Sequence, residues 1–375
     1  MQFFYQNAIV PPGTLLPSEI QNAALRLYSK LNRISPVSLD ISDYQKKYLG
    51  DQLAELQAWL QKYAFILAWS TAGMNIPVQK CTLLDYGGGT GLLSLLAKEL
   101  NFGSVLYNDI YDVSCHDAET IGLSAGIRAD HYITGDIDEV IACLRNNRIR
   151  CNAVVSYDVI EHIYDTGDFI RKLPEITDTR CASVIMASSA NSCNPFRVRK
   201  LKKGQRTAEY ETRVDQAARK QRDSLESYYS LRKRIIAAHA PGLQPREIDE
   251  LSSRTRGLIA RDILTVVSEY EKSGILPPGP VHPTNTCDPC TGNWAEHLMD
   301  IAQLKKQLHD SGYTSRIIPG YYGNSKKMSG IMNSMVIPGI NSLINLPKYG
   351  IRIAPFFALR GIRCHDQPCQ ESAES

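Results

Sequence analysis

Leu83-Leu84-Asp85-Tyr86-Gly87-Gly88-Gly89-Thr90-Gly91 stands between an apolar run that opens at Cys81 and a leucine-rich stretch from Leu92. The pattern reads as a buried strand, a sharp turn and the start of a helix. Glycines allow the turn, and they let a ligand approach main-chain amides that a side chain would block. Their spacing discriminates between ligands. A dinucleotide fingerprint, G-x-G-x-x-G, needs its third glycine where this chain has Leu92. Here the glycines fall at 87, 89 and 91 behind Asp85, giving Asp-x-Gly-x-Gly-x-Gly.

From Cys81 onward, short apolar runs alternate with helical patterns, the mark of a parallel sheet covered on both faces. Strands are expected at 81–86, 104–109, 131–134, 152–157 and 181–188, with helices near 90–101, 114–126, 138–147 and 165–178. In such a sheet, ligands bind beyond the carboxyl ends of the strands. The distinctive polar residues fall there. Asp85 closes the first strand, Asp109 the second, Gly135-Asp136-Ile137 follows the third, and Tyr157-Asp158 closes the fourth. Asp109 lies 22 residues beyond Gly87, where an acid accepts hydrogen bonds from ribose hydroxyls. Asp112, close behind, reads as a helix N-cap.

These residues, in this order and spacing, resemble the class I S-adenosylmethionine-dependent methyltransferases, clearly over 80–190 and more loosely over 295–360. The resemblance implies a Rossmann-like α/β sheet of seven strands whose last pair is an antiparallel hairpin. It implies S-adenosylmethionine as cofactor, with the methionine end held by Asp85 and the loop of Gly87, Gly88, Gly89 and Gly91. By the same resemblance Asp109 grips ribose, Asp136 meets the adenine amino group, and Ile110, Ile137 and Tyr157 complete the pocket.

Asp158-Val159-Ile160-Glu161-His162 resembles the Asp-x-x-Glu-His segment of the small-molecule O-methyltransferase branch. A hydroxyl acceptor is a poor nucleophile at neutral pH, so a base or a metal must help remove its proton. His162 is the candidate base, with Asp158 and Glu161 beside it; an unperturbed histidine titrates in a useful range for this work. Glu161 and His162 also suit a divalent ion, with His297 as a third ligand, or simply the start of a helix. Asn293-Trp294-Ala295-Glu296-His297-Leu298 resembles a Trp-x-Glu-His element of the same enzymes, so Trp294 and His297 are candidate walls of an acceptor pocket.

Outside this core the chain reads as helical. Residues 1–78 form an N-terminal extension with helices at 18–34 and 40–72, the second carrying Leu49, Leu53, Leu56, Leu60, Tyr63 and Leu67 at helical spacing behind Ser42 as N-cap. The core runs over 79–195. Residues 196–280 read as a helical insertion that caps an acceptor, ending in the turn-rich Pro277-Pro278-Gly279-Pro280. Residues 281–363 return to the core, with a helix at 295–311, a strand at Tyr313–Pro319, a segment from Tyr321 to Asn345 suited to a lid, and a strand near Ile351–Leu359. The polar tail, 364–375, reads as disordered.

Bulk composition narrows the partners. A net charge of +3 over 375 residues is too mild to imply nucleic acid by itself. Residues 197–234, however, hold 13 Lys and Arg against 5 Asp and Glu. That excess suits an anionic small molecule and, as an alternative, RNA bound through basic helices with Tyr210, Tyr228 and Tyr229 for stacking. A cofactor-binding partner protein without catalysis is the third reading. Met1 to Gly13 lacks the basic and apolar regions of a secretory signal, and no run is long enough to span a membrane. Of ten cysteines, Cys81, Cys143, Cys151 and Cys181 fall in apolar runs, as reduced thiols of a cytoplasmic protein do. Cys287 and Cys290 form a single C-x-x-C; a zinc site needs further ligands, for which Cys364, Cys369, His282 and His365 are available.

Overall fold

A computed structural model describes residues 2–3, 15–212, 224–280, 285–324, 330–346 and 349–364. The chain divides into two compact units. The first comprises Met1–Val159, Gly167–Ser189 and Ile301–Ser375, the second Ile160–Thr166 and Ala190–Asp300.

The first unit is built on one seven-stranded sheet: β1 (Thr82–Tyr86), β2 (Ser104–Asp109), β3 (His131–Thr134), β4 (Ala153–Tyr157), β5 (Cys181–Ser188), β6 (Thr314–Pro319) and β7 (Phe357–Cys364). Their spatial order is β3-β2-β1-β4-β5-β7-β6. The first five strands pair in parallel, with Leu84 in register with Leu106 on one side and Val154 on the other. β7 runs antiparallel to both β5 and β6. This strand order with one reversed strand is the class I methyltransferase form of the Rossmann-like sheet. The apolar runs explain it: β1, β2, β4 and β5 are buried almost throughout, as parallel strands covered on both faces must be.

Helices α4 (Leu92–Glu99), α5 (Asp112–Ser124), α6 (Ile137–Asn147) and α7 (Thr166–Ile176) follow β1 to β4 as crossovers. Three more precede the sheet: α1 (Pro17–Leu31), α2 (Asp43–Ala54) and α3 (Leu56–Thr71). The single helix expected over 40–72 is broken at Glu55, whose φ of −119° and ψ of 32° leave the helical region. The break has a physical reason. α3 is buried nearly all round, from Leu60 through Thr71, so it must lie against the sheet, while α2 buries only Gln45, Leu49 and Gln52. Ser42 caps α2 as expected, accepting from the Gln45 amide at 3.3 Å.

The C-terminal expectations shift. α12 spans Ile301–Asp310, so Trp294 and His297 sit in irregular chain rather than at a helix start. A π-helical turn (Met332–Val336) leads into α13 (Ile337–Ile344), and a short α14 (Gly350–Ile353) occupies part of the run expected as the last strand. That strand begins instead at Phe357, where its residues pair with both β5 and β6. Residues 365–375, expected to be disordered, lie outside the described residues. Among those described, no helix is long and apolar enough to cross a membrane.

The second unit is helical: α8 (Pro195–Tyr210), α9 (Tyr228–His239), α10 (Pro245–Arg254) and α11 (Ala260–Ser273). Ile236, Ala240, Leu251, Ile263 and Val267 form its small apolar core. A buried polar network binds it as well. Arg232 and Glu209, both fully buried, form an ion pair, and Thr286 and Ser252 join them through the Thr286 hydroxyl on Glu209 and the Ser252 carbonyl on Arg232 Nε at 2.9 Å.

Candidate functional site

In the first unit the sheet order reverses between β1 and β4, and the glycine loop leaves β1 at that crevice. Gly87, Gly89 and Gly91 all take left-handed φ values, 71°, 55° and 77°. Residues with a Cβ are penalised there, so the motif's spacing is a backbone requirement. Gly88 is needed for space: a Cβ there would stand 2.6 Å from the Tyr107 ring and 2.9 Å from Asp85 Oδ2. At Gly89, by contrast, the nearest atom is Tyr48 Cε1 at 3.5 Å, leaving its backbone approachable.

Two buried side chains hold this loop from below. The Tyr107 hydroxyl donates to the Gly89 carbonyl at 2.6 Å. Asp85 Oδ2 accepts from the Ser94 amide (3.1 Å) and hydroxyl (2.7 Å), so it caps the first turn of α4. Burial pushes the Asp85 carboxyl up to about 7, against the pull of those two bonds. Asp109, at the end of β2, accepts from the Gly89 amide at 3.2 Å and the Tyr111 amide at 3.1 Å. Its carboxylate therefore sits against the loop itself. Asp112 is not the cap of α5; Tyr111 holds that position, and Asp112 accepts from the Val113 amide within the first turn.

The remaining predicted positions differ in exposure. Ile110 is 44% exposed at the end of β2, whereas Ile137 is buried. Asp136 is the exposed N-cap of α6, accepting from the Asp138 amide at 2.8 Å in a capping box with Glu139; partial burial and the neighbouring Glu139 raise its carboxyl. Asp158 has a left-handed φ of 56°, uncommon for a residue with a Cβ. Its amide donates to the Ala187 carbonyl and its Oδ1 accepts from the Ser189 amide at 2.6 Å. The conformation is thus held by β5.

An aromatic cluster adjoins the loop, of which the sequence pointed only to Tyr157, as a pocket residue, and to Tyr63, as part of a helical stripe. Trp59 lies 6.3 Å from Tyr48, 5.8 Å from Tyr63 and 5.9 Å from Tyr157, centroid to centroid. The Lys62 ammonium stands 4.3 Å from the Trp59 ring centre and 5.4 Å from that of Tyr157. Gln52 links the group to the loop, donating to the Tyr63 hydroxyl and accepting from Thr90 at 2.5 Å. Burial, then Asp158, raises the Tyr48 phenol above its ordinary value. The spacing Tyr44-Tyr48 and Trp59-Lys62-Tyr63 carries the signal, but at helical intervals it looks like any core-facing stripe.

In the second unit the two Glu-His segments come together. The His297 amide donates to the Glu161 carbonyl at 3.1 Å, and His162 Nδ1 lies 2.8 Å from the Trp294 carbonyl. A carbonyl only accepts, so Nδ1 carries the proton and neutral His162 has its basic nitrogen at Nε2. Trp294 stacks on His297 at 4.3 Å and on Tyr164 at 5.8 Å. Glu161 is fully buried. Among the described residues no group of three or more His, Cys, Asp or Glu is placed to hold a metal ion. Burial pushes the Cys287 thiol up to about 12 and raises that of Cys290. Cys369, His282 and His365 lie outside the described residues. Of the cysteines expected inside, Cys81 and Cys151 are buried and Cys143 and Cys181 half-buried.

No protein-family model and no curated protein matches the chain. Solved structures resemble it distantly. The plantazolicin methyltransferase BpumL in complex with SAH is 12% identical, with 92% of this chain and 99% of that one covered and a TM-score of 0.38. For the CurJ carbon methyltransferase the values are 10%, 94%, 72% and 0.37. For an S-adenosylmethionine-dependent methyltransferase from Mesorhizobium loti they are 13%, 77%, 94% and 0.35. The chain spans about a third of the length of neighbours from Streptococcus mutans (34%) and Agrobacterium tumefaciens (38%). The fold assignment rests on this chain's own strand order.

Proposed function

We propose that this protein transfers a methyl group from S-adenosylmethionine to a small-molecule acceptor, at oxygen. The observation that carries this reading is the left-handed glycine loop with the Asp109 carboxylate against it, at the crevice between β1 and β4. Such a loop offers approachable backbone beside an acid able to accept hydrogen bonds from a ribose diol. Gly87, Gly88, Gly89 and Gly91 form the cradle, and Asp85 fixes it through Ser94. Ile110 offers an apolar face to a purine, Ile137 supports it from the interior, and Asp136 accepts from the adenine amino group. S-adenosylmethionine, when bound, supplies an electrophilic methyl on a sulfonium.

For the acceptor, Tyr48, Trp59 and Tyr157 with Lys62 favour a flat, anionic molecule. Asp158, held in a strained conformation by β5, orients it. By the Asp-x-x-Glu-His resemblance of its segment, His162 is the base for the acceptor hydroxyl, through Nε2, with Glu161 beside it in sequence. Replacing His162 by Ala is expected to lower kcat about 100-fold and to remove the acid limb of its pH profile. An unchanged rate and profile on the true acceptor would refute the base assignment.

The direct test is calorimetric titration with S-adenosylmethionine, S-adenosylhomocysteine and NAD. Binding of the two sulfur nucleotides, lost in Asp109→Ala, supports the reading; binding of NAD alone overturns it. A second reading, RNA as acceptor, is favoured by α8, where Arg199, Lys200, Lys202, Lys203 and Arg206 are exposed between Phe196 (82% exposed) and Tyr210 (59%). It requires RNA affinity that falls steeply with salt.

A further inference from the structure

The stretch between β6 and β7 carries apolar side chains on the outside of the first unit. Ile331 is 70% exposed, Met335 71%, Leu343 53% and Leu346 50%, with Val336 beside them. Ile331, Met335 and Leu343, separated by four and eight residues, lie toward one side of the helical segment, and Leu346 follows just beyond the end of α13. The opposite side is already used: Ile337, Asn341 and Ile344 are buried, and Asn341 exchanges hydrogen bonds with the Tyr322 backbone at 2.9 Å in both directions. Gly350 fixes the far end, since a Cβ there would collide with the Ile344 carbonyl at 1.8 Å. The segment is therefore anchored by one face while it presents a second apolar face outward. Soluble monomers rarely expose such a row.

Charge indicates what covers it. Between Asp310 and Asp366 the sequence contains no Asp or Glu, while seven Lys and Arg fall within it. Among them Arg352, on α14 just beyond the apolar row, is exposed. Of these seven Arg360 is buried, and Lys326, Lys327 and Lys348 lie outside the described residues, but an exposed apolar face in a stretch of sequence that is basic and without acids, next to exposed Arg352, complements an anionic lipid surface, where the side chains enter the interface and the cations meet headgroups. An apolar protein partner supplies no reason for the missing carboxylates. We propose that the face carrying Ile331, Met335, Val336, Leu343 and Leu346 lies on an anionic bilayer surface without spanning it. This inference is independent of the methyl-transfer reading.

The full chain would be sedimented with vesicles of phosphatidylcholine alone or with about 30% phosphatidylglycerol. Retention on the anionic vesicles, weakened about tenfold by Met335→Glu and about fivefold by Arg352→Ser, supports the proposal. Circular dichroism melting establishes that each variant is folded. If Met335→Glu does not fold, Leu343→Gln takes its place, since that side chain is half-exposed. Absence of binding, equal binding to neutral vesicles, or unchanged binding by the folded apolar-face variants overturns it. So does a concentration-dependent dimer in light scattering that Met335→Glu dissolves, because a second copy would then cover the face.

Discussion

The glycine loop of the first unit and the polar interior of the second solve the same problem in opposite ways. Both contain acids removed from water. Around the loop, most bonds are to backbone: Asp109 accepts from Gly89 and Tyr111, Asp85 from Ser94, all close to strand ends. In the second unit, Glu209 is satisfied by Arg232 and Thr286, which come from different segments. A local motif can build the first arrangement, and at Gly89 it leaves the loop sterically approachable. The second ties distant pieces together, and its groups are consumed by one another.

The largest effect is expected where a buried charge would lose its partner. Glu209→Ala leaves the Arg232 guanidinium buried and should destabilise the second unit by about 3–5 kcal/mol, read as a lower denaturant midpoint. A change below about 1 kcal/mol would mean the network contributes little to stability. Asp109→Ala should weaken S-adenosylhomocysteine binding about 100-fold by calorimetry, since a charged acceptor of two hydrogen bonds is removed. Its melting temperature should move far less than that of Glu209→Ala; a comparable fall would erase the contrast between the regions. Gly88→Ala should cost about 1–3 kcal/mol, because the new methyl meets the Tyr107 ring and Asp85.

A different kind of effect is a pH dependence. The folded Asp85 carboxyl titrates near 7, above its unfolded value near 4. The native state therefore holds more protons than the unfolded state between those values, and stability falls as pH rises from about 4 to about 7. Asp85→Asn should remove that part of the decline, so the melting temperature of the variant relative to the parent should rise across the window. Parallel melting curves would show that Asp85 does not titrate there.

Some of this site was legible because its physics is local. Strand, acid and glycine spacing all express backbone geometry at one turn, so Asp85, Gly87, Gly88, Gly89 and Gly91 could be named from composition and order. Ser42 as a cap and the strands through β5 follow from similarly short-range rules. The break at Glu55 could not be read, because what separates α2 from α3 is the surface each must cover. Nor could Tyr48, Trp59 and Lys62 be told from core residues, since helical spacing states that they share a face but not what that face meets.

Sequence by itself determined the alternating elements, the crevice loop and the acids at the strand ends, through turn sterics and buried-strand patterning that act over a few residues. Tertiary structure alone decided that β7 lies between β5 and β6, that His162 meets Trp294, and that Glu209 pairs with Arg232. Each of these depends on partners tens to hundreds of residues apart, brought together only when burial of the whole chain selects one arrangement.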